Sequence, residues 1–308
     1  MDEHELAWAA GFFDGDGWAA LVRQKGRRTG QPQARINQSS LDGVPEVLLR
    51  FRDAVGIGRI GGPKIEDRRE PLYWWVASSR GDVTRTGDLI GPWLSRQKRA
   101  QFVSAASLRF DRPPIDTFAW AAGLFDAEGS TSLSDHRSHE GYKYVEASIT
   151  QGGGKRAAPD ELVRFLDIVE RGKVYGPYEQ DGATEPIYRW RLQQADAVRR
   201  LLHLLQPWLC RVKRVQAWGA LAVIDRQAVL PRGRPDWGSH KTHCVHGHEY
   251  ASARMRPYVS RGRSTPVREN HRCLTCLREL ARRKRAMKGA DGDLPAADRD
   301  TPDDRATC

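Results

Sequence analysis

A short stretch occurs twice in this chain, AAGFFDGDG at 9–17 and AAGLFDAEG at 121–129. Each copy ends in an acidic residue followed by glycine, Asp16-Gly17 and Glu128-Gly129, and carries a second acid two residues earlier, Asp14 and Asp126. Each has a small pair, Ala10-Gly11 and Ala122-Gly123, ahead of two large apolar residues. The match extends beyond the motifs, across residues 6–110 and 118–222: ARINQSS (34–40) answers ASITQGG (147–153), LYWWVASS (72–79) answers IYRWRLQQ (187–194), and GPWLSRQKRAQ (91–101) answers QPWLCRVKRVQ (206–216). The chain is therefore a tandem duplication, and each half is one structural unit.

Both halves read in the same order. The motif forms a helix, about 4–14 and 116–126, broken by its acid-glycine end, where glycine can take a positive φ. Two strands follow, 17–25 with 33–40 and 129–135 with 143–151. An amphipathic helix comes next, 43–55 and 159–171, with Val44, Val47, Leu48, Phe51 and Val55, and Leu162, Phe165, Leu166 and Val169, at helical spacing. A second strand pair spans 57–66 and 72–79, then 172–180 and 186–194. Helical material closes each half, 81–110 and 195–226, interrupted at Pro92 and Pro207. The expected class is α+β: two pseudo-symmetric α-β-β-α-β-β-α repeats, 1–112 and 113–226, each with an antiparallel sheet. A Pro/Gly/Arg-rich linker (227–239), a small module (240–288) and an acidic, disordered tail (289–308) complete the plan.

The formal charge is +11, which suggests a polyanionic partner. It is unevenly placed. Residues 241–288 hold 13 Lys/Arg against three Glu, whereas 291–308 hold six Asp against two Arg. No stretch reaches the roughly 18 apolar residues of a membrane-spanning helix, so no membrane partner is expected. The opening MDEHELAW is acidic and lacks an apolar core, so no secretory signal is expected, and the location expected is cytoplasmic and nucleoid-associated.

The motif helices suggest a chemistry. Ala7, Ala10 and Gly11 share one helix face, as do Ala119, Ala122 and Gly123. Faces without side-chain bulk let two helices approach closely. Pairing them sets Asp16 and Glu128 side by side at negative helix ends, where two carboxylates repel unless a cation lies between them. Oxygen ligands suit Mg²⁺, and a phosphodiester beside such a site is open to attack by activated water. Asp14 and Asp126 read as structural, hydrogen-bonding residues.

At this point the sequence resembles the LAGLIDADG homing endonucleases of the single-chain, double-motif kind, over residues 4–222. The resemblance implies a monomer acting as a pseudo-dimer, with two sheets forming a saddle over double-stranded DNA. It implies a Mg²⁺-dependent, site-specific cut of both strands across the minor groove, with short 3′ overhangs. Asp16 and Glu128 match the family's metal-binding acids, with the backbone of Gly15 and Ala127 beside them. Gln38 and Gln151 match its solvent-ordering glutamines. Lys98 and Lys213 match its basic residues, with Arg99 or Arg214 as alternative carriers because the spacing from proline is one residue longer. An RNA-splicing maturase and a DNA-binding regulator on the same fold are the rival readings.

Two further sets bear on binding. Arg23, Lys25, Arg35, Lys143, Arg189 and Arg191 alternate with apolar neighbours along the strands, which fits either a solvated face or a major-groove reader. In the C-terminal module, Cys244, His248, Cys273 and Cys276 have the spacing of a Zn²⁺ site, with His243 and His246 as competing ligands. The intervening Arg254, Arg256, Arg261 and Arg263 make that module an expected DNA-binding finger, similar to small zinc ribbons of phage-type nucleases.

Overall fold

The computed structural model describes residues 2–23, 29–66, 69–135, 143–179, 185–229, 255–260, 268–273, 275–276, 278–279 and 281–282. The chain divides into one unit ending at Leu230 and a second beginning at Pro231.

The first repeat contains α1 (Glu3–Asp16), β1 (Gly17–Val22), β2 (Gln31–Ser39), α2 (Glu46–Val55), β3 (Arg59–Lys64), β4 (Leu72–Ala77), α3 (Arg80–Ile90) and α4 (Arg96–Ala106). The second contains α5 (Phe118–Glu128), β5 (Gly129–Asp135), β6 (Lys143–Gly152), α6 (Asp160–Val169), β7 (Lys173–Tyr178), β8 (Ile187–Gln193), α7 (Ala195–Leu205) and α8 (Arg211–Val229). The sheets are antiparallel with equivalent orders, β1-β2-β4-β3 and β5-β6-β8-β7. The class is α+β with two matching repeats. Each repeat closes on two helices rather than one, because the Pro-Trp-Leu turn separates α3 from α4 and α7 from α8.

Helix α1 buries every residue from Leu6 to Asp14, and α5 every residue from Ala119 to Asp126. A helix apolar all round belongs in a core, and these two pack against each other at its centre. On either side the amphipathic helices α2 and α6 cover their sheets. Phe51 meets Trp75 edge-on at 4.7 Å between ring centroids, and Phe165 meets Trp190 at 4.8 Å. Each tryptophan donates its indole N–H to a backbone carbonyl, Trp75 to Ile57 and Trp190 to Arg171. Burying rings of this size contributes roughly 2–3 kcal/mol apiece.

One expectation is corrected. Gly17 and Gly129 do not take positive φ; they are extended, at −84° and −78°. Glycine is needed there for space: a Cβ on either would lie within 2.4–2.5 Å of the Phe13 or Phe125 side chain. The motif helices accordingly run two residues further than expected and include both acids.

In the second unit, β9 (Met255–Ser260) pairs antiparallel with β10 (Arg268–Cys273).

Candidate active site

The seam between α1 and α5 is built on two glycines. A Cβ on Gly11 would lie 1.9 Å from the Trp120 carbonyl oxygen, and one on Gly123 would lie 2.0 Å from that of Trp8. Only hydrogen fits at either position. The contact continues to the helix ends, where a Cβ on Gly15 would lie 2.4 Å from Ala127 Cβ and 3.1 Å from Glu128 Cγ.

The inner acids lock this seam. Trp8 Nε1 donates to Asp126 Oδ2 at 2.8 Å, and Trp120 Nε1 donates to Asp14 Oδ2 at 2.7 Å. Each bond crosses from one repeat to the other. The backbone N–H of Ser95 donates to Asp14 and that of Cys210 donates to Asp126, both at 2.9 Å. Asp14 and Asp126 therefore anchor the turns before α4 and α8. Burial pushes the Asp14 carboxyl up to about 7, against the opposing Trp120 hydrogen bond, and burial also raises Asp126. Two arginines complete the lock. Arg50 stacks 4.0 Å over Trp8 and donates to the Trp208 carbonyl, while Arg164 stacks 3.7 Å over Trp120 and donates to the Trp93 carbonyl.

The outer acids project beyond the lock. Asp16 and Glu128 are the last helical residues and are half-buried. Burial, and after it the Glu128 charge, together raise Asp16 to about 7, against Lys213, Lys98 and Gln38. Burial likewise raises Glu128, with Lys98 and Lys213 opposing. Gln38 donates to Asp16 Oδ2. Lys98 donates to the Gly17 carbonyl and Lys213 to the Gly129 carbonyl. Burial lowers both lysines, and the surrounding carboxylates raise them. Of the alternative carriers, Arg99 is buried and donates to the carbonyls of Gly91, Pro92 and Arg112, whereas Arg214 is exposed.

Beside Glu128 lies a cleft of about 420 Å³, lined by Lys98, Gln151, Thr150 and Glu161 among others. Gln151 Oε1 and Glu161 Oε1 are buried there without a hydrogen-bond partner. Among the described residues, no group of three or more His, Cys, Asp or Glu side chains is placed to hold a metal ion. The available arrangement is a carboxylate pair with raised proton affinity, flanked by amides and ammonium groups. It fits a hard cation whose remaining ligands are backbone oxygens, water or phosphate.

The strand residues divide. Arg35 lies on the outward parity of its sheet, with its guanidinium 4.7 Å over Trp74 and Nε donating to Asn37 Oδ1 at 2.7 Å. Arg189 donates to Thr150 Oγ1 at 3.1 Å, and Arg191 is paired with Glu146. Lys143 is different: it shares the parity of the buried Val145, Ala147 and Ile149, and its ammonium is 3.1 Å from Asp135 at the sheet end. Arg23 is exposed just past β1. Lys25, Cys244, His248, Arg254, Arg261 and Arg263 lie outside the described residues. Arg256 lies on β9 and Cys273 ends β10, and Cys276 is half-buried.

Sequence reasoning missed Trp8, Trp120, Arg50, Arg164, Glu146 and Glu161. The first four had a signal: each is repeated at the equivalent position of the other half. Glu146 and Glu161 had none, since Gln33 and Val47 take their places in the first repeat.

No protein-family model and no curated protein matches the sequence. Solved structures do. The LAGLIDADG meganuclease I-AabMI bound to uncleaved DNA matches with a TM-score of 0.56 at 17 % identity, covering 74 % of this chain and 92 % of that one. The LAGLIDADG homing endonuclease I-GzeII in complex with its DNA target matches with a TM-score of 0.51 at 14 % identity, covering 74 % and 93 %. The chain has the two-repeat fold of the LAGLIDADG homing endonucleases.

Proposed function

We propose that this chain is a site-specific, divalent-metal-dependent endonuclease that cuts both strands of duplex DNA. One observation carries the reading: two half-buried carboxylates, Asp16 and Glu128, are held together at adjoining helix ends with proton affinities raised by burial and, at Asp16, by the Glu128 charge. Such a pair is costly in the bare protein and becomes useful once a cation neutralises it.

Asp16 and Glu128 would hold Mg²⁺, with the backbone of Gly15 and Ala127 beside them. When bound, such a cation supplies charge stabilisation at the scissile phosphate and a water acidic enough to attack near neutral pH. The chain's own residues do the rest. Gln38, fixed on Asp16, and Gln151, with a free acceptor in the cleft, orient solvent. Lys98 and Lys213 place an ammonium at each Gly carbonyl following the acids, where it offsets negative charge accumulating on phosphate. The outward faces of the two sheets supply DNA contacts through Arg35, Arg189 and Arg191. The likeness to two LAGLIDADG structures determined with DNA supports this use of the fold.

The test is incubation of the protein with a randomised duplex pool, in Mg²⁺ and in EDTA, with sequencing of the ends produced. The expected result is cutting of both strands at a defined sequence in Mg²⁺ alone. Cutting that persists undiminished in EDTA would overturn the metal assignment. Binding of structured RNA in preference to duplex DNA, without cutting, would overturn the nuclease reading.

A further inference from the structure

The inward and outward positions of the two sheets have changed to different extents. Facing the core, Ala34, Ile36, Gln38, Tyr73 and Trp75 have Ala147, Ile149, Gln151, Tyr188 and Trp190 as identical counterparts, and the inward changes, such as Ala77 to Leu192 and Ala19 to Thr131, introduce no charge. Facing outward, Gln33 corresponds to Glu146, Arg35 to Ser148, Trp74 to Arg189 and Val76 to Arg191. A duplication that keeps most of one face and rewrites the charges of the other fits two halves reading different surfaces.

Arg191 is the most constrained of the new residues. Its Nε donates to Glu146 Oε1 at 3.0 Å, and Nη2 donates to Oε2. Gln193 Nε2 donates to the same Oε2 at 2.7 Å. The Tyr175 ring lies 6.0 Å from the guanidinium carbon. Glu146 is only 6 % exposed, and both of its oxygens accept from neighbouring side chains. The carboxylate thus holds one edge of the guanidinium. The edge formed by Nη1 and the second N–H of Nη2 is the pair of parallel donors that matches O6 and N7 of guanine. Charge argues against the simpler role of phosphate anchor. Glu146 cancels the arginine's charge, which weakens a phosphate contact but leaves directed hydrogen bonds to a base edge intact.

We infer that Glu146 and Arg191 form a guanine-reading unit, in which Arg191 contacts the base and Glu146 is its positioning residue. The unit gives the half-site under the second repeat a guanine requirement that the first repeat, with Val76 and Gln33 at these places, does not impose at the mirrored position. This rests on the reading of the outward sheet faces as the DNA-binding surface.

The experiment is selection of bound duplexes from a randomised pool by the full-length protein and by Arg191→Val and Glu146→Gln, which install the first repeat's residues. Thermal melting establishes that each variant is folded. The expected wild-type result is a guanine in one half-site, favoured by about 10- to 100-fold over other bases, the range of one bidentate base contact. Arg191→Val should abolish the preference at that position alone. Glu146→Gln should reduce it several-fold, and preferences in the other half-site should stay unchanged in both variants, a pattern that a general loss of structure would not give. A defined site whose base preferences ignore Arg191 would overturn the inference while leaving the endonuclease reading standing. Guanine discrimination unchanged in Glu146→Gln would overturn the positioning role. Failure of the wild-type protein to enrich any duplex would overturn the DNA reading and the inference together.

Discussion

The two repeats are alike where they touch each other and unlike where they face away. At the seam, Gly11 faces the Trp120 carbonyl and Gly123 faces that of Trp8, at nearly the same close approach. Trp8, Asp126 and Cys210 mirror Trp120, Asp14 and Ser95, bond for bond. On the outward sheet faces, the first repeat presents Trp18, Arg35, Trp74 and Val76, whereas the second presents Ser130, Ser148, Arg189 and Arg191. The difference separates two demands. Bringing two carboxylates together requires one packing solution used twice, so neither half can change without the other. In the proposed function, reading a target has no such coupling, and the halves are free to diverge.

The comparison can be broken at several points. Gly11→Ala and Gly123→Ala each force a methyl into backbone, and each should destabilise the fold by about 3 kcal/mol. Denaturant unfolding checks this, and a large loss in only one of the two would show that the seam is not symmetric. Trp8→Phe and Trp120→Phe each remove the indole donor from a buried carboxylate, at a cost of about 2 kcal/mol. Equal losses in the two variants would sharpen the mirrored-lock description.

The acids give a pH signature. Asp16 has a folded pKa of about 7, above its ordinary value of 3.8. In the metal-free protein its contribution to stability is therefore fully present below about pH 4 and is lost as pH rises through about 7, at no more than about 1.4 kcal/mol per pH unit. Asp16→Asn should match wild type near pH 4 and exceed it in melting temperature at pH 8. Added Mg²⁺ should reverse that order at pH 8 by stabilising wild type alone. The smallest effect concerns the ends of α2 and α6. Gly56 takes the left-handed conformation at φ 63°, and Glu170 takes it at 51° in the second repeat. Glu170→Gly should stabilise the protein by roughly 0.5 kcal/mol, the conformational relief less the unfolded-state entropy of glycine. Thermal melting of that variant alone suffices.

Much of this was legible in the sequence because duplication supplies two readings of each element. The helix seam followed from Ala10-Gly11 and Ala122-Gly123, and the outer acids from their place before glycine. What stays hidden depends on which side chains the fold brings together. Trp8 and Trp120 show no partner in the sequence, since nothing in a periodicity reveals that an indole N–H reaches an acid 118 or 106 residues away. Alternation with its neighbours groups Lys143 with the other strand cations, whereas its place at the start of β6 beside Asp135 depends on register. Gly17 is a similar case: its lack of a side chain answers the Phe13 ring beside it, a packing fact rather than a dihedral one. Glu146 carried no signal until the sheet set Arg191 beside it.

The paired-carboxylate site is tested by cleavage of one defined duplex target by wild type, Asp16→Asn and Glu128→Gln, scored separately for nicked and fully cut product. Each substitution alone should lower double-strand cutting on the order of 10²–10³-fold or more, as when one group stabilising transition-state charge is removed, with folding and duplex binding retained. Double-strand cutting at the wild-type rate by either variant would contradict this role of the pair.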